Sequence, residues 1–549
     1  MWSHGISPIL VALATTTLAA IKVPHAGLPI VDLKYTLQQA TPFVGNAQVY
    51  NFSNIRFAEP PVGHLRFAPP VPAKENRTIQ TSEVSRVCYQ ALPGWAASQT
   101  ASQFNSSKPA SGAATELPAL DPRETEDCLF LDVYVPKNVY DHQSNGSGAA
   151  VLVWIYGGGY VEGDKTGNGS PVGLLSESAF GTGGSVIYVA MNYRLGAFGW
   201  LAGPTLQADG TANVGLLDQR LALEWVQEHI EAFGGDPKRV TVFGESAGGG
   251  SIMHQITAYG GNKGPVPFQQ AVPQSAAFQP TPGNFQPEQA TQAFLSALNV
   301  STIQAARGLS SLALRDANYE VVGGAGYGQF TFGPVVDGDF VPALPGKLLL
   351  QGSFNKDLKL LIGHNSNEGL LFTNPNITTD GDYENLIKSE FPNAPASVIS
   401  YISEELYPPV FSGLLPYKDD LDRAAFTVSE AVFTCNTNYL ARAFGNKTYN
   451  YIFSVPPGLH GQDVAYTYYG SGVSSGVLPL PINATVAVAL QKYITEFAET
   501  GAPSEAGVPH FDIYGPNAQV LNLGADGIDE IVDPTANTRC LWWQKALYY

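Results

Sequence analysis

The chain has 549 residues, 44% of them hydrophobic and 11% aromatic, which is ample for a large core. Lys and Arg number 29 against 47 Asp and Glu, and the formal charge of −18 argues against nucleic acid or an anionic membrane as partner, since both need clustered cations. No Pro, Gly or Ser cluster is long enough, or free enough of apolar residues, to tether separate domains, and no internal repeat is visible.

The run Ile6 to Ala20 is apolar and Thr-rich, too short to span a bilayer, and ends in the small residues Thr17, Ala19 and Ala20. It reads as a secretory signal over 1–20, although His4 is the only basic side chain ahead of it, and residues 21–549 then form one catalytic domain. Nine sequons agree with export: Asn51, Asn76, Asn105, Asn145, Asn168, Asn299, Asn376, Asn446 and Asn483. No later apolar run is long enough for a membrane helix, so a secreted protein without stable membrane association is expected. Nothing in the sequence speaks to oligomeric state. Cys88, Cys128, Cys435 and Cys540 can pair in three ways, and spacing does not choose among them. No cysteine or histidine pair has ligand spacing, so no metal is expected.

Further along, short β-rich apolar runs bounded by turns predict buried parallel strands over Ala149 to Tyr156, Ser185 to Asn192, Val240 to Phe243, Leu358 to Gly363 and Tyr449 to Val455. Between them Leu217, Leu221, Val226, Ile230 and Phe233 mark a helix ended by Gly234, Gly235 and Pro237. Val486, Leu490, Tyr493, Ile494 and Phe497 mark another, stopped by Gly501 and Pro503. The alternation implies an α/β fold with a large, mostly parallel sheet covered by helices, whose ligands bind beyond the carboxyl ends of the strands.

One such strand end carries the segment VTVFGESAGGG from Val240, in which a strand runs into a Ser-centred Gly-x-Ser-x-Gly and then into a helix. That order of elements holds Ser246 on a sharp turn with its hydroxyl exposed. The pentapeptide alone is weak, as a second copy shows: GVSSG at Gly472 to Gly476 lacks both strand and helix, and Ser474 reads as a loop serine.

A serine hydroxyl needs an imidazole to take its proton and a carboxylate to orient that imidazole. Of the four histidines after Ser246, His254 lies two turns into the helix behind it, His364 precedes the available acid, and His510 has no strand leading into it. His460 follows the strand Tyr449 to Val455 through a Pro-Pro-Gly turn and is the expected base. Glu368 follows the strand Leu358 to Gly363 by a similar loop and is the expected acid, whereas Asp337 and Asp339 sit in a turn where Asp caps its own backbone. The Gly157 to Gly159 run after the strand at 149–156 lets backbone amides approach a substrate closely. It lacks the Lys, Ser/Thr and spacing of a phosphate loop.

These segments resemble the type-B carboxylesterase and lipase family of α/β-hydrolases, which includes cholinesterases and fungal extracellular lipases. The likeness is carried by NIRFAEPPVGHLRFAPP from Asn54, ETEDCLFLDVYVP from Glu124, VWIYGGGY from Val153, the long segment from Asn213 through GESAGGGS, FGPVVDGDF from Phe332, and the Glu368 and His460 loops. The resemblance implies Ser246 as nucleophile, Glu368 as triad acid, His460 as base, and the amides of Gly158, Gly159 and Ala247 as oxyanion donors. It also implies the disulfides Cys88 with Cys128 and Cys435 with Cys540, a small-molecule ester as substrate, and no cofactor.

Two departures from the family bear on function. A further disulfide of many relatives cannot form, because no cysteine lies between Cys128 and Cys435. The Cys88 to Cys128 loop, which carries an amphipathic lid in lipases, has few bulky apolar residues (Leu92, Trp95, Phe104, Leu117, Leu120) and no helical spacing among them. An esterase for small or soluble esters is therefore expected over a triacylglycerol lipase. The reading from another class is a catalytically silent binding or adhesion protein. A cholinesterase is disfavoured by the position of Trp95.

Overall fold

The computed structural model describes residues 27–41, 48–81, 85–96, 118–142, 148–179, 184–281, 283–470, 480–504 and 506–548. The expected signal, the sequons Asn105 and Asn145, Phe104, Leu117 and Ser474 lie outside the described residues.

Three short strands, β1 (Ile30–Asp32), β2 (Thr36–Gln39) and β4 (Asn76–Gln80), form a small sheet. The remaining ten form the main one: β3 (Val49–Arg56), β5 (Phe130–Pro136), β6 (Ala149–Ile155), β7 (Ile187–Met191), β8 (Gly235–Glu245), β9 (Gln270–Gln274), β10 (Lys359–Asn365), β11 (Tyr449–Phe453), β12 (Gln519–Leu523) and β13 (Ile528–Val532). Their spatial order is β13-β12-β11-β10-β9-β8-β6-β7-β5-β3. From β7 to β12 every neighbouring pair is parallel, while β13 at one edge and β5 and β3 at the other pair antiparallel. Parallel strands must be covered on both faces, and β7 and β9 are accordingly buried along their whole length.

The five runs expected as strands are strands. β8 begins earlier than expected, at Gly235, because Gly235 pairs with Ala149 across a register shift that carries the ladder through Pro237. The two expected helices are Val214–His229, continued by a 3-10 turn to Phe233, and Ala484–Thr500. Gly234 and Gly501 end them in the left-handed conformation that an L side chain resists. The Asn483 side chain accepts from the amides of Thr485 and Val486 at the start of the second helix. That helix packs on β6 and β8, and Ala247–Thr257 packs on β8 and β9.

Cys88 is bonded to Cys128 and Cys435 to Cys540, closing separations of 40 and 105 residues. The second bridge ties the C-terminal helix Thr538–Gln544 to the helix Cys435–Ala443, which follows directly on the turn carrying Phe433. Among the described residues no helix is long and apolar enough to cross a membrane.

Candidate active site

β8 ends at Glu245, and Ser246 turns the chain into the helix Ala247–Thr257 with φ 59° and ψ −123°. A non-glycine residue at such an angle carries about 1–3 kcal/mol of strain and is held only by its surroundings. Those surroundings are tight. The Ser246 amide donates to the Gln274 carbonyl, and its own carbonyl accepts from the amides of Gly250 and Ala277. A methyl group on Gly248 would lie 2.0 Å from the Ile155 carbonyl oxygen, and one on Gly244 would lie 2.4 Å from the same atom. Both glycines are therefore demanded by the approach of β6 to the turn.

His460 and Glu368 arrive from the ends of β11 and β10. The two loops are tied together, since the Asn367 amide donates to the Gly458 carbonyl at 2.8 Å and Ser366 donates to Phe453 at 2.9 Å. His460 Nε2 lies 2.8 Å from Ser246 Oγ and its Nδ1 lies 2.5 Å from Glu368 Oε2. Glu368 is fully buried, and its second oxygen accepts from Ser275 Oγ at 2.6 Å and the Asn365 amide at 2.5 Å. Burial alone would raise the Glu368 carboxyl, but the charge and hydrogen bond of His460 and the Ser275 hydroxyl outweigh it and hold the group below its ordinary value. The His460 ring is itself wedged between Phe433 and Phe372, with centroids at 4.6 and 5.0 Å.

Glu245 escaped the sequence reading. Its Oε1 lies 3.2 Å from His460 Nε2, beside the contact with Ser246. Burial raises Glu245 to about 8, so it keeps its proton at neutral pH. Burial also disfavours the His460 imidazolium, but the Glu245 and Glu368 carboxylates reverse this and raise the ring to about 9. That upward pull belongs to the state with both carboxylates charged. With Glu245 protonated, its share of that pull is lost and the ring falls below this value. Behind them lies Asp463, buried, accepting from Asn365 Nδ2, Gln274 Nε2 and Tyr451 Oη, each at 3.1 Å.

The Gly157 to Gly159 run passes against the serine. A methyl group on Gly157 would meet Ser246 Cβ at 2.9 Å. Gly158 and Gly159 have φ of +96° and +58°. The amides of Gly158, Gly159 and Ala247 have no acceptor among the described residues. Ser246, Ala247 and Gly159 open onto a cavity of about 430 Å³ whose walls include Phe330, Phe372 and Phe433.

The other sequence candidates lie elsewhere. His254 is buried, with Nδ1 against the Gly250 carbonyl and its ring on Phe278, and burial lowers it to about 4. His364 Nδ1 contacts the Asn365 carbonyl, and His510 pairs with Asp512 at the surface. Asp337 caps its own turn, accepting from the amides of Asp339 and Val341. Trp95 packs on Phe330 and Phe372, the aromatics of the cavity wall, and donates to the Gln329 carbonyl at 2.7 Å. Leu92 and Leu120 are exposed. Among the described residues no group of three His, Cys, Asp or Glu converges as a metal site.

A mostly parallel sheet with a serine on the turn after a central strand, and an acid and an imidazole beyond later strands, is an α/β-hydrolase of the serine-hydrolase class. The sequence profile of the carboxylesterase family matches residues 38–543, and the chain belongs to that family. It is 41% identical to carboxylesterase patB of Aspergillus clavatus over 95% of this chain and 96% of that one. It is 33% identical to a secreted lipase of Arthroderma benhamiae over 77% of this chain and 83% of that one. Among solved structures, Aspergillus niger EstA superposes with a TM-score of 0.78 at 26% identity, covering 94% of this chain and 98% of that one.

Proposed function

We propose that the protein is a secreted serine carboxylesterase working through Ser246, His460 and Glu368. The reading is carried by the continuous contact from Ser246 Oγ to His460 Nε2 and from Nδ1 to Glu368. Ser246 Oγ attacks the ester carbonyl carbon as His460 Nε2 takes its proton. Glu368 holds the ring in the tautomer that does this and offsets the imidazolium charge. The amides of Gly158, Gly159 and Ala247 receive the oxyanion. His460 then returns the proton to the departing alcohol. Water attacks the acyl-enzyme by the same route, releasing the acid and restoring Ser246. These groups supply every proton transfer, so the cycle calls on no cofactor.

Ser246→Ala should lower kcat by roughly four to six decades with an unchanged far-ultraviolet circular dichroism spectrum. Retention of a tenth or more of the activity would end this reading.

Export is supported by the leader at 1–20, the two disulfides and the likeness to a secreted lipase. Of the sequons, Asn76, Asn299 and Asn376 are exposed and are the glycan carriers of this account. Asn51, Asn168, Asn446 and Asn483 are half-buried, and the Asn168 and Asn483 side chains are engaged with Trp154 and with the helix at 484–500. Cleavage of the leader and a mass loss on deglycosylation of protein taken from culture medium test this. The poverty of apolar residues between Cys88 and Cys128 favours soluble esters over lipid droplets. A rate jump above the critical micelle concentration of a long-chain ester would contradict it.

A further inference from the structure

The cavity at Ser246 is lined mainly by apolar and aromatic side chains, with a few Gln, Thr and Ser. Glu390 is the only charged residue in that lining among the described residues. It closes the helix Asp380–Glu390, where the backbone carbonyls already concentrate negative charge, so a carboxylate there is electrostatically disfavoured. Gln329 Nε2 donates to its Oε1 at 3.3 Å, and this is the carboxyl's only protein hydrogen bond among the described residues. No Lys or Arg among them pairs with it. The position thus goes against the helix, and apolar solvation does not reward it.

We propose that Glu390, with Gln329 bonded to it in the same wall, is a specificity-determining residue that hydrogen-bonds a hydroxyl group on the substrate, so that the preferred substrates are esters whose apolar body carries a hydroxyl. This rests on the esterase reading above and adds the substrate class to it. Burial raises the Glu390 carboxyl to about 7, so near neutrality much of it is protonated, able both to donate to a hydroxyl oxygen and to accept its proton. A neutral carboxyl suits a neutral partner. A protonated amine would instead require the ionised form, which burial disfavours. A site with a polar group set in an apolar cavity also penalises the substrate that leaves it unpaired, and this is the usual source of strong discrimination.

The test compares kcat/KM for pairs of esters that differ by one hydroxyl, placed on the acyl side in one series and on the alcohol side in another, with amine-bearing esters as a third arm. The native enzyme should prefer the hydroxylated member of at least one pair by roughly 10-fold or more. Glu390→Gln, which retains a donor and an acceptor, should keep most of that ratio. Glu390→Leu should abolish it, and Glu390→Asp, which withdraws the carboxyl by one methylene, should reduce it in a variant closer to the native site. Folding is checked by circular dichroism and by labelling of Ser246 with a fluorophosphonate. Absence of a preference in every pair, or a preference that survives Glu390→Leu, would overturn the proposal. So would a preference for amines lost equally in Glu390→Gln and Glu390→Leu, which would mark a cation site. A native enzyme that hydrolyses the unhydroxylated parents but shows no preference defeats this inference alone; one that hydrolyses no ester defeats the esterase reading and this inference with it.

Discussion

Glu245 Oε1 lies 3.2 Å from His460 Nε2, on the same nitrogen that faces Ser246 Oγ at 2.8 Å. The base of the proposed triad therefore works between two buried carboxyl groups, Glu368 on one nitrogen and Glu245 beside the other. The charge on Glu245 should therefore show in the pH dependence of activity.

The acid limb of kcat/KM reports protonation of His460, since only the neutral ring accepts the serine proton. The Glu245 carboxylate is among the causes that raise His460. Glu245→Gln holds the neutral form that the native residue keeps near neutrality, so the acid limb should stay close to the native one, whereas above about pH 8, where native Glu245 ionises and raises His460, the variant should retain more activity. An acid limb shifted to lower pH in the variant would show instead that Glu245 is charged beside the ring at neutral pH, and identical profiles above about pH 8 would show that it does not act on the ring.

Glu368→Gln should leave the fold intact and lower kcat by about 10⁴, because an amide can hold His460 in the wrong tautomer. The neighbours that satisfy the native carboxylate, Ser275 and the Asn365 amide, both donate to it, so the substituted oxygen can still be accommodated. Comparison of steady-state rates with the thermal midpoint separates this loss from simple destabilisation.

Gly159 has φ +58°, and a methyl group on it would lie 2.0 Å from the Phe330 ring. Gly159→Ala must therefore shift the loop that presents the Gly158 and Gly159 amides. A fall in kcat of about 10²–10³ is expected, the usual loss when one oxyanion donor is displaced, with a smaller change in KM. An unchanged kcat would remove this loop from the oxyanion site.

Replacing Cys435 and Cys540 together by Ser should cost about 2–5 kcal/mol of stability, as removal of a native disulfide commonly does. Because the helix that begins at Cys435 follows the turn carrying Phe433, and Phe433 packs on His460, activity should fall on warming before the main unfolding transition. Coincident loss of activity and structure would place the bridge outside the site's support.

Much of this was legible in the residues. Ser246, Glu368 and His460 each follow an apolar run that is a strand, and the chain order of acid and base excluded His364. Gly244 and Gly248 flank Ser246 in the Gly-x-Ser-x-Gly pattern and are fixed by one carbonyl, that of Ile155. Glu245 was not read, although it stands inside the motif. Along a regular strand it would point away from its neighbour, and only the positive φ at Ser246 brings both side chains to one imidazole. Ser275 and Asn365 escaped for a different reason. They meet Glu368 because β9 and β10 pair with Gly363 opposite Gln274, and that register is fixed by assembly of the whole sheet. Glu390 likewise reaches the cavity, and Trp95 the wall aromatics Phe330 and Phe372, through packing of segments far apart in the chain, which no local pattern encodes.

The most direct test of the central claim is covalent labelling of the native enzyme with a fluorophosphonate, followed by peptide mapping while ester hydrolysis is monitored. The account predicts one adduct per chain, on Ser246, formed in step with loss of activity and absent from the Ser246→Ala variant. Adduct formation on another residue with parallel loss of activity, or a folded native protein that hydrolyses esters without reacting at Ser246, would contradict it.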